Sequence, residues 1–241
     1  MRAPSSIEAP LLEAYIDDPE YNEFLNGSAL VALDTDHAFS GYLFCEPNEE
    51  RANQLKEAIA EHPRYNLVRI REETAEKALH SRVVNNPSIN WKKSKAVCFL
   101  DPFALQVRWE TLEMLASTRS IEVILNFPLG MALQRLLPQN AAKVEMHRDR
   151  LNEYFGSTDW YDQVYETNLD MLGETTRKRA NAGEALLAWY CTRLKAIFGY
   201  VSRPRLVTNT NGTHLYYLIW AGPHPKGRDI ANHILGMGHL V

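Results

Sequence analysis

The chain has 241 residues, 45% hydrophobic and 23% charged, with 12 Gly and 12 Pro. This is ordinary globular composition, long enough for one large domain or one domain carrying an insertion. A net charge of −4 and a pI of about 6.1 exclude a global basic signature for nucleic acid. No apolar run approaches the roughly 18 residues of a membrane span, and Met1–Pro10 lacks the apolar core of a signal peptide. Cytoplasmic residence and no membrane partner are the resulting expectations. Cys45, Cys98 and Cys191 are far apart and two lie in apolar runs. They read as buried small hydrophobes in a reducing compartment, not as a zinc or disulfide framework.

In chain order, Phe39 to Cys45 is a short apolar strand ending at Glu46-Pro47. Asn48 can cap the following helix, which places Ala52, Leu55 and Ile59 on one face. Asn66 to Ile70 reads as a second strand and Glu72 to Leu79 as a short helix. Ala96 to Leu100 is the third strand, followed by a helix from Gln106 to Ser117. Ile121 to Leu125 is the fourth strand, closing on Asn126-Phe127-Pro128. Strands that alternate with helices and read as continuous apolar runs argue βαβ units and a mainly parallel sheet.

From Leu137 to Gly183 the rhythm breaks. The stretch is more polar, holds a helix near Ala141 to Tyr154, and carries Arg177-Lys178-Arg179. It reads as a helical insertion over residues 138–183. The helix Glu184 to Phe198 follows, with Leu187, Tyr190, Leu194 and Ile197 on a stripe, and Gly199 ends it. Arg205 to Thr208 and Thr213 to Trp220 are strands joined through Asn209-Thr210-Asn211-Gly212, a hairpin signal. The expected fold is therefore α/β: a doubly wound, mostly parallel Rossmann-like sheet with a C-terminal antiparallel hairpin. Class I methyltransferases finish in this way.

The step Asp101-Pro102-Phe103 at the end of the third strand is the chief candidate site. In open α/β sheets ligands bind at the carboxyl ends of strands. Asp accepts a hydrogen bond from an amino group, Pro fixes φ and holds the adjacent carbonyl still, and the ring offers a stacking face. The competing reading is a strand end capped by a turn.

Several segments resemble the three-Cys-motif partner protein (TcmP) family. They are Tyr15-Ile16-Asp17, Gly27-Ser28-Ala29-Leu30, Gly41-Tyr42-Leu43-Phe44-Cys45-Glu46, Phe99-Leu100-Asp101-Pro102-Phe103, Trp109-Glu110-Thr111-Leu112 and Asn126-Phe127-Pro128-Leu129-Gly130-Met131. The resemblance runs from Tyr15 to the end of the chain and implies a single methyltransferase-like domain over residues 1–241. It implies S-adenosylmethionine as cofactor, with Asp17, Glu46 and Glu72 as cofactor-binding residues. Glu46 would meet the ribose hydroxyls and Glu72 the adenine. The alternatives are a helix N-terminal acid for Glu46 and a plain surface glutamate for Glu72. Asp101, Pro102 and Phe103 would hold the acceptor, and Asn126 and Phe127 could line the same cleft. The implied partner is a separate protein bearing a three-cysteine motif, similar to radical S-adenosylmethionine enzymes.

The chain departs from the family over residues 1–26. The family carries a Phe-Ala-Gly-Pro-Gly loop after Tyr-Ile-Asp, which lets the backbone approach the cofactor. Here Asp18-Pro19-Glu20-Tyr21-Asn22-Glu23 follows, with negative charge in place of the glycines. There is no Gly-x-x-x-x-Gly-Lys-Ser/Thr loop, His-Glu-x-x-His, Gly-x-Ser-x-Gly or Cys-x-x-Cys. Trp160-Tyr161 and Tyr216-Tyr217 read as packing pairs, and Arg177-Lys178-Arg179 as a solvated face rather than a phosphate contact. Two functions follow: methylation of an amino group, that of a nucleobase or nucleic acid included, or a catalytically inactive partner subunit on the same fold.

Overall fold

A computed structural model of the chain describes residues 28–101, 105–170, 173–209 and 211–237. Asp17, Pro102, Phe103 and nearly all of the divergent segment 1–26 lie outside the described residues. The chain divides into two compact units, residues 1–78 and 79–241.

In the first unit, helix α1 occupies 28–33. Strand β1 (Tyr42–Cys45) leads into helix α2 (Glu49–Ile59) and strand β2 (Val68–Arg71). The expected βαβ unit is present: β1 and β2 are parallel, from Tyr42 opposite Val68 to Cys45 opposite Arg71. Asn48 caps α2 as its sequence position predicts, its Oδ1 accepting the Arg51 N–H at 3.0 Å. Ala52 and Ile59 are buried, and Ile59 joins Leu33, Tyr42 and Val68 in a core flanked by Leu30, Phe44 and Leu55. Arg64 donates to the carbonyl oxygens of Leu33 and Thr35, groups left open where α1 ends. The unit closes on the one-turn helix α3 (Ala75–Ala78).

The second unit opens with a wide helical turn, Leu79–Val84, and strand β3 (Ala96–Leu100). Helix α4 (Trp109–Ser117), strand β4 (Ile121–Phe127) and helix α5 (Met131–Leu136) follow. A 3-10 stretch, Ala141–His147, runs into helix α6 (Arg148–Phe155), and helix α7 (Trp160–Val164) comes next. Strands β5 (Tyr165–Asp170) and β6 (Gly173–Lys178) pair antiparallel. Only the first half of the expected helical insertion is therefore helical. Gly173 to Lys178 reads Gly-Glu-Thr-Thr-Arg-Lys and has no apolar helical stripe, and a two-stranded ribbon satisfies those backbone groups instead.

Helix α8 (Ala182–Phe198) is followed by β7 (Tyr200–Val201), β8 (Arg205–Thr208), β9 (His214–Gly222) and helix α9 (Pro225–Met237). Gly199 ends α8 at φ 98°. The sheet order is β3-β4-β9-β7, with β8 also pairing β9. β3 and β4 are parallel, while β9 is antiparallel to β4, β7 and β8. The C-terminal hairpin is present where the Asn-Gly signal put it. The expected single, mostly parallel sheet is not what the described residues form. Each unit holds one parallel pair, and antiparallel pairing dominates the larger sheet. The long strand β9 takes neighbours on both sides: β7 and β8 reach it by short reversals of the chain, whereas β4 pairs with it across the long stretch from Pro128 to Thr213.

Alternation along β4 sorts its side chains. Ile121, Val123, Leu125 and Phe127 are buried on one face, where Phe127 stacks on Tyr190 of α8 at 4.6 Å between ring centroids. Tyr190 meets Trp109 of α4 edge-on. Arg193 lies over Trp109 at 4.0 Å and Trp189 at 5.0 Å and donates to the carbonyl oxygens of Phe155 and Gly156. One guanidinium thus ties α8 to the last turn of α6 while lying on two rings. Gly156 caps α6 at φ +61°, where an added Cβ would also come 2.6 Å from Trp109 Cβ. Arg193→Ala is expected to cost about 2 kcal/mol and to lower the thermal midpoint by a few degrees. Arg193→Lys should recover only part, because the planar fork is lost. An unchanged midpoint in a melting scan would refute the clamp.

Candidate functional site

Asp101 stands at the carboxyl end of β3 and Asn126 near the carboxyl end of β4. The parallel register sets Leu100 opposite Leu125, so these two polar residues are neighbours. They share the sheet face opposite Phe127. Asn126 Nδ2 donates to Asp101 Oδ1. That bond orients both groups, and it leaves Asn126 Oδ1 buried with no hydrogen-bond partner among the described residues. Asn126 is 3% exposed, so the unpaired carbonyl forfeits about 1–3 kcal/mol. Asp101 itself is exposed, but its carboxyl turns inward to Asn126. Desolvation accordingly raises its pKa above the ordinary carboxylate value, opposed by the Asn126 hydrogen bond.

A third group belongs here. On β9, Leu218 pairs with Asn126, and alternation puts Tyr216 on the same face. Burial, and then the negative charge of Asp101, raise the Tyr216 pKa, so the phenol is held protonated beside the carboxylate. Phe99, two residues before Asp101 on the same face of β3, is 46% exposed. The cluster therefore has a carboxylate, an amide and two aromatic rings at one strand end. Sequence reading treated Tyr216-Tyr217 as a packing pair. Alternation along β9 splits it, because Tyr217 pairs with Phe127 and faces the other way. That period of two was the available signal.

The loop behind the cluster is set by a close backbone approach. At Gly130, just before α5, an added Cβ would collide with the carbonyl oxygens of His214 and Leu215, where β9 begins. No larger residue leaves this loop and β9 so close.

Two of the other expected site residues, Glu46 and Glu72, belong to the first unit. Glu46 follows β1 in the first unit, and its Oε1 accepts the Asn48 N–H at 2.9 Å. That is the helix-start role, although its second carboxylate oxygen keeps no protein partner among the described residues and suits a hydroxyl donor. Glu72 follows β2 and pairs with Lys56 at 2.6 Å, both half-exposed, as a surface ion pair. Arg177 pairs with Glu166, Lys178 donates to Leu137 O and Arg179 to Tyr165 O. The basic cluster therefore serves the ribbon. Trp160 is fully buried and donates to Asn152.

The cysteines are half-buried and form no disulfide with one another. Burial pushes Cys45 and Cys191 up to about 11, which keeps them as thiols and out of nucleophilic roles at neutral pH. Among the described residues no His, Cys, Asp and Glu group could hold a metal ion, and no helix is long and apolar enough to cross a membrane. Comparison with known proteins finds no matching family model, no matching curated protein and no matching solved structure.

Proposed function

We propose that the chain is an S-adenosylmethionine-dependent methyltransferase of the three-Cys-motif partner type, acting on an amino group. The observation that carries this reading is Asp101: a carboxylate at the end of a parallel strand, held by buried Asn126 and partly desolvated. Bound S-adenosylmethionine supplies an electrophilic methyl group. The demand on the protein is positioning, since methyl transfer needs the nitrogen lone pair in line with the breaking bond. Asp101 accepts an N–H of the incoming amine and fixes the direction of its lone pair. As the nitrogen gains positive charge the carboxylate stabilises it, and takes up the proton that the new N–C bond releases. Glu46 has an oxygen left to accept ribose hydroxyls.

The second reading is a catalytically inactive partner subunit of a three-cysteine protein. It is favoured by the pairing of Glu72 with Lys56 and by Asp18-Pro19-Glu20 in place of a glycine loop. Calorimetric titration with S-adenosylmethionine and S-adenosylhomocysteine separates the two. Micromolar binding, about −8 kcal/mol, that weakens in Glu46→Ala is the expected result. No binding up to millimolar by the folded protein would refute catalysis and leave the partner subunit, which co-purification with the three-cysteine protein would then test.

A further inference from the structure

We infer that Asn126 is a second acceptor for the substrate amine, and that the site selects a planar primary amino group, –NH2, of the nucleobase kind. This rests on the proposed methyltransferase reading and deepens it.

Buried polar atoms are nearly always paired, so an orphaned one calls for a reason. Asn126 Oδ1 is such an atom, on a side chain 3% exposed. Its orientation is not arbitrary. The neighbouring Asp101 carboxylate accepts only, so the amide must present Nδ2 to it, and this forces the carbonyl to the other side. The result is two acceptors on adjacent strand ends, Asp101 and Asn126 Oδ1. A primary amine has two N–H donors on one nitrogen, which such a pair can take together. Tyr216 and the half-exposed Phe99 ring share this face and suit a flat heterocycle better than an alkyl chain. A site built to hydrogen-bond an N–H rejects the analogue that lacks it, because its own acceptor is then left unpaired. A methylated amine keeps only one N–H, so the same pair releases the product and stops the reaction after one methyl group.

The test is calorimetric titration of the full chain with adenosine and cytidine, each beside its mono- and dimethylated amino form. At least one –NH2 nucleoside is expected to bind about tenfold or more above its dimethylated form, with the monomethylated form between them. Asn126→Leu should collapse that ratio toward one, and Asn126→Ser should keep part of it. A merely structural role for Asn126 would weaken all forms alike and leave the ratio unchanged, which would overturn the inference, as would equal binding of all forms or binding of none by the folded protein. A parallel titration with S-adenosylhomocysteine separates the two levels. Cofactor binding without amine selectivity refutes only this inference, whereas amine selectivity without cofactor binding refutes only the methyltransferase reading.

Discussion

Asp101→Ala is expected to reduce methyl transfer by about a hundredfold or more while the protein stays folded and melts only a few degrees below wild type. The size follows from the double demand on the carboxylate. It orients the nucleophile, and misplacement of a reacting group costs about this much by itself. It also faces positive charge that develops only in the transition state, which is the kind of interaction that raises turnover rather than affinity. The fold should survive, because Asp101 is exposed and makes no core contact, but its loss unpairs the Nδ2 of buried Asn126, at a cost of about 1–3 kcal/mol. Asp101→Asn should retain the contact with Asn126 after an amide turn, and lose the rate. Single-turnover transfer of a labelled methyl group to the best-binding nucleoside, beside a melting scan, measures both. Activity within a few fold of wild type in a stable Asp101→Ala protein would remove Asp101 from the mechanism.

The largest effect on stability is expected at Gly130. A methyl group there would overlap the backbone carbonyl oxygens of His214 and Leu215 and stand 2.9 Å from the His214 carbonyl carbon. Backbone cannot swing aside as a side chain can, so the loop or the start of β9 must move. Overpacking of this kind costs about 3 kcal/mol or more. With a urea slope of about 2 kcal/mol/M, the unfolding midpoint of Gly130→Ala should fall by roughly 1.5 M. The displaced segment leads to Tyr216 and pairs next to Asn126 through Leu218, so whatever the cluster binds should bind more weakly as well. Gly199→Ala is the contrast: it is strained by φ +98° but meets nothing within 4 Å, and should cost less. A midpoint unchanged in Gly130→Ala would mean that the loop and β9 are further apart than described.

Local signals were legible where the chain itself supplies the partner. Asn48 capped α2 because its side chain reaches an N–H three residues on. Ala96–Leu100 was placed to the residue, since a β-branched and aromatic run bounded by Lys95 and Asp101-Pro102 has no helical option. The Asn-Gly hairpin and Gly199 rest on φ > 0, which few residues tolerate. Helix α9 has no counterpart in the sequence reading, although Pro225 suits its first turn, where the missing N–H costs nothing. The ribbon β5–β6 escaped notice because its polar run carries no apolar face to mark it.

The site divides along the same line. Asp101 could be picked out from its strand and the Pro that follows, and Asn126 from the end of the next strand, so the sequence by itself determined which two residues carry the polar chemistry. That they touch, that Asn126 donates with Nδ2 and is left with a buried unpaired carbonyl, and that Tyr216 joins them were decided only by tertiary structure. The parallel register of β3 on β4 and the antiparallel insertion of β9 bring together residues 25 and 115 positions beyond Asp101. Burial then gives their hydrogen bonds and charges a weight they lack in water. For Glu46 and Glu72 the sequence offered a cofactor role beside a structural one: Glu46 accepts the Asn48 N–H two residues on, a local contact, whereas Glu72 meets Lys56, 16 residues away, only through the fold.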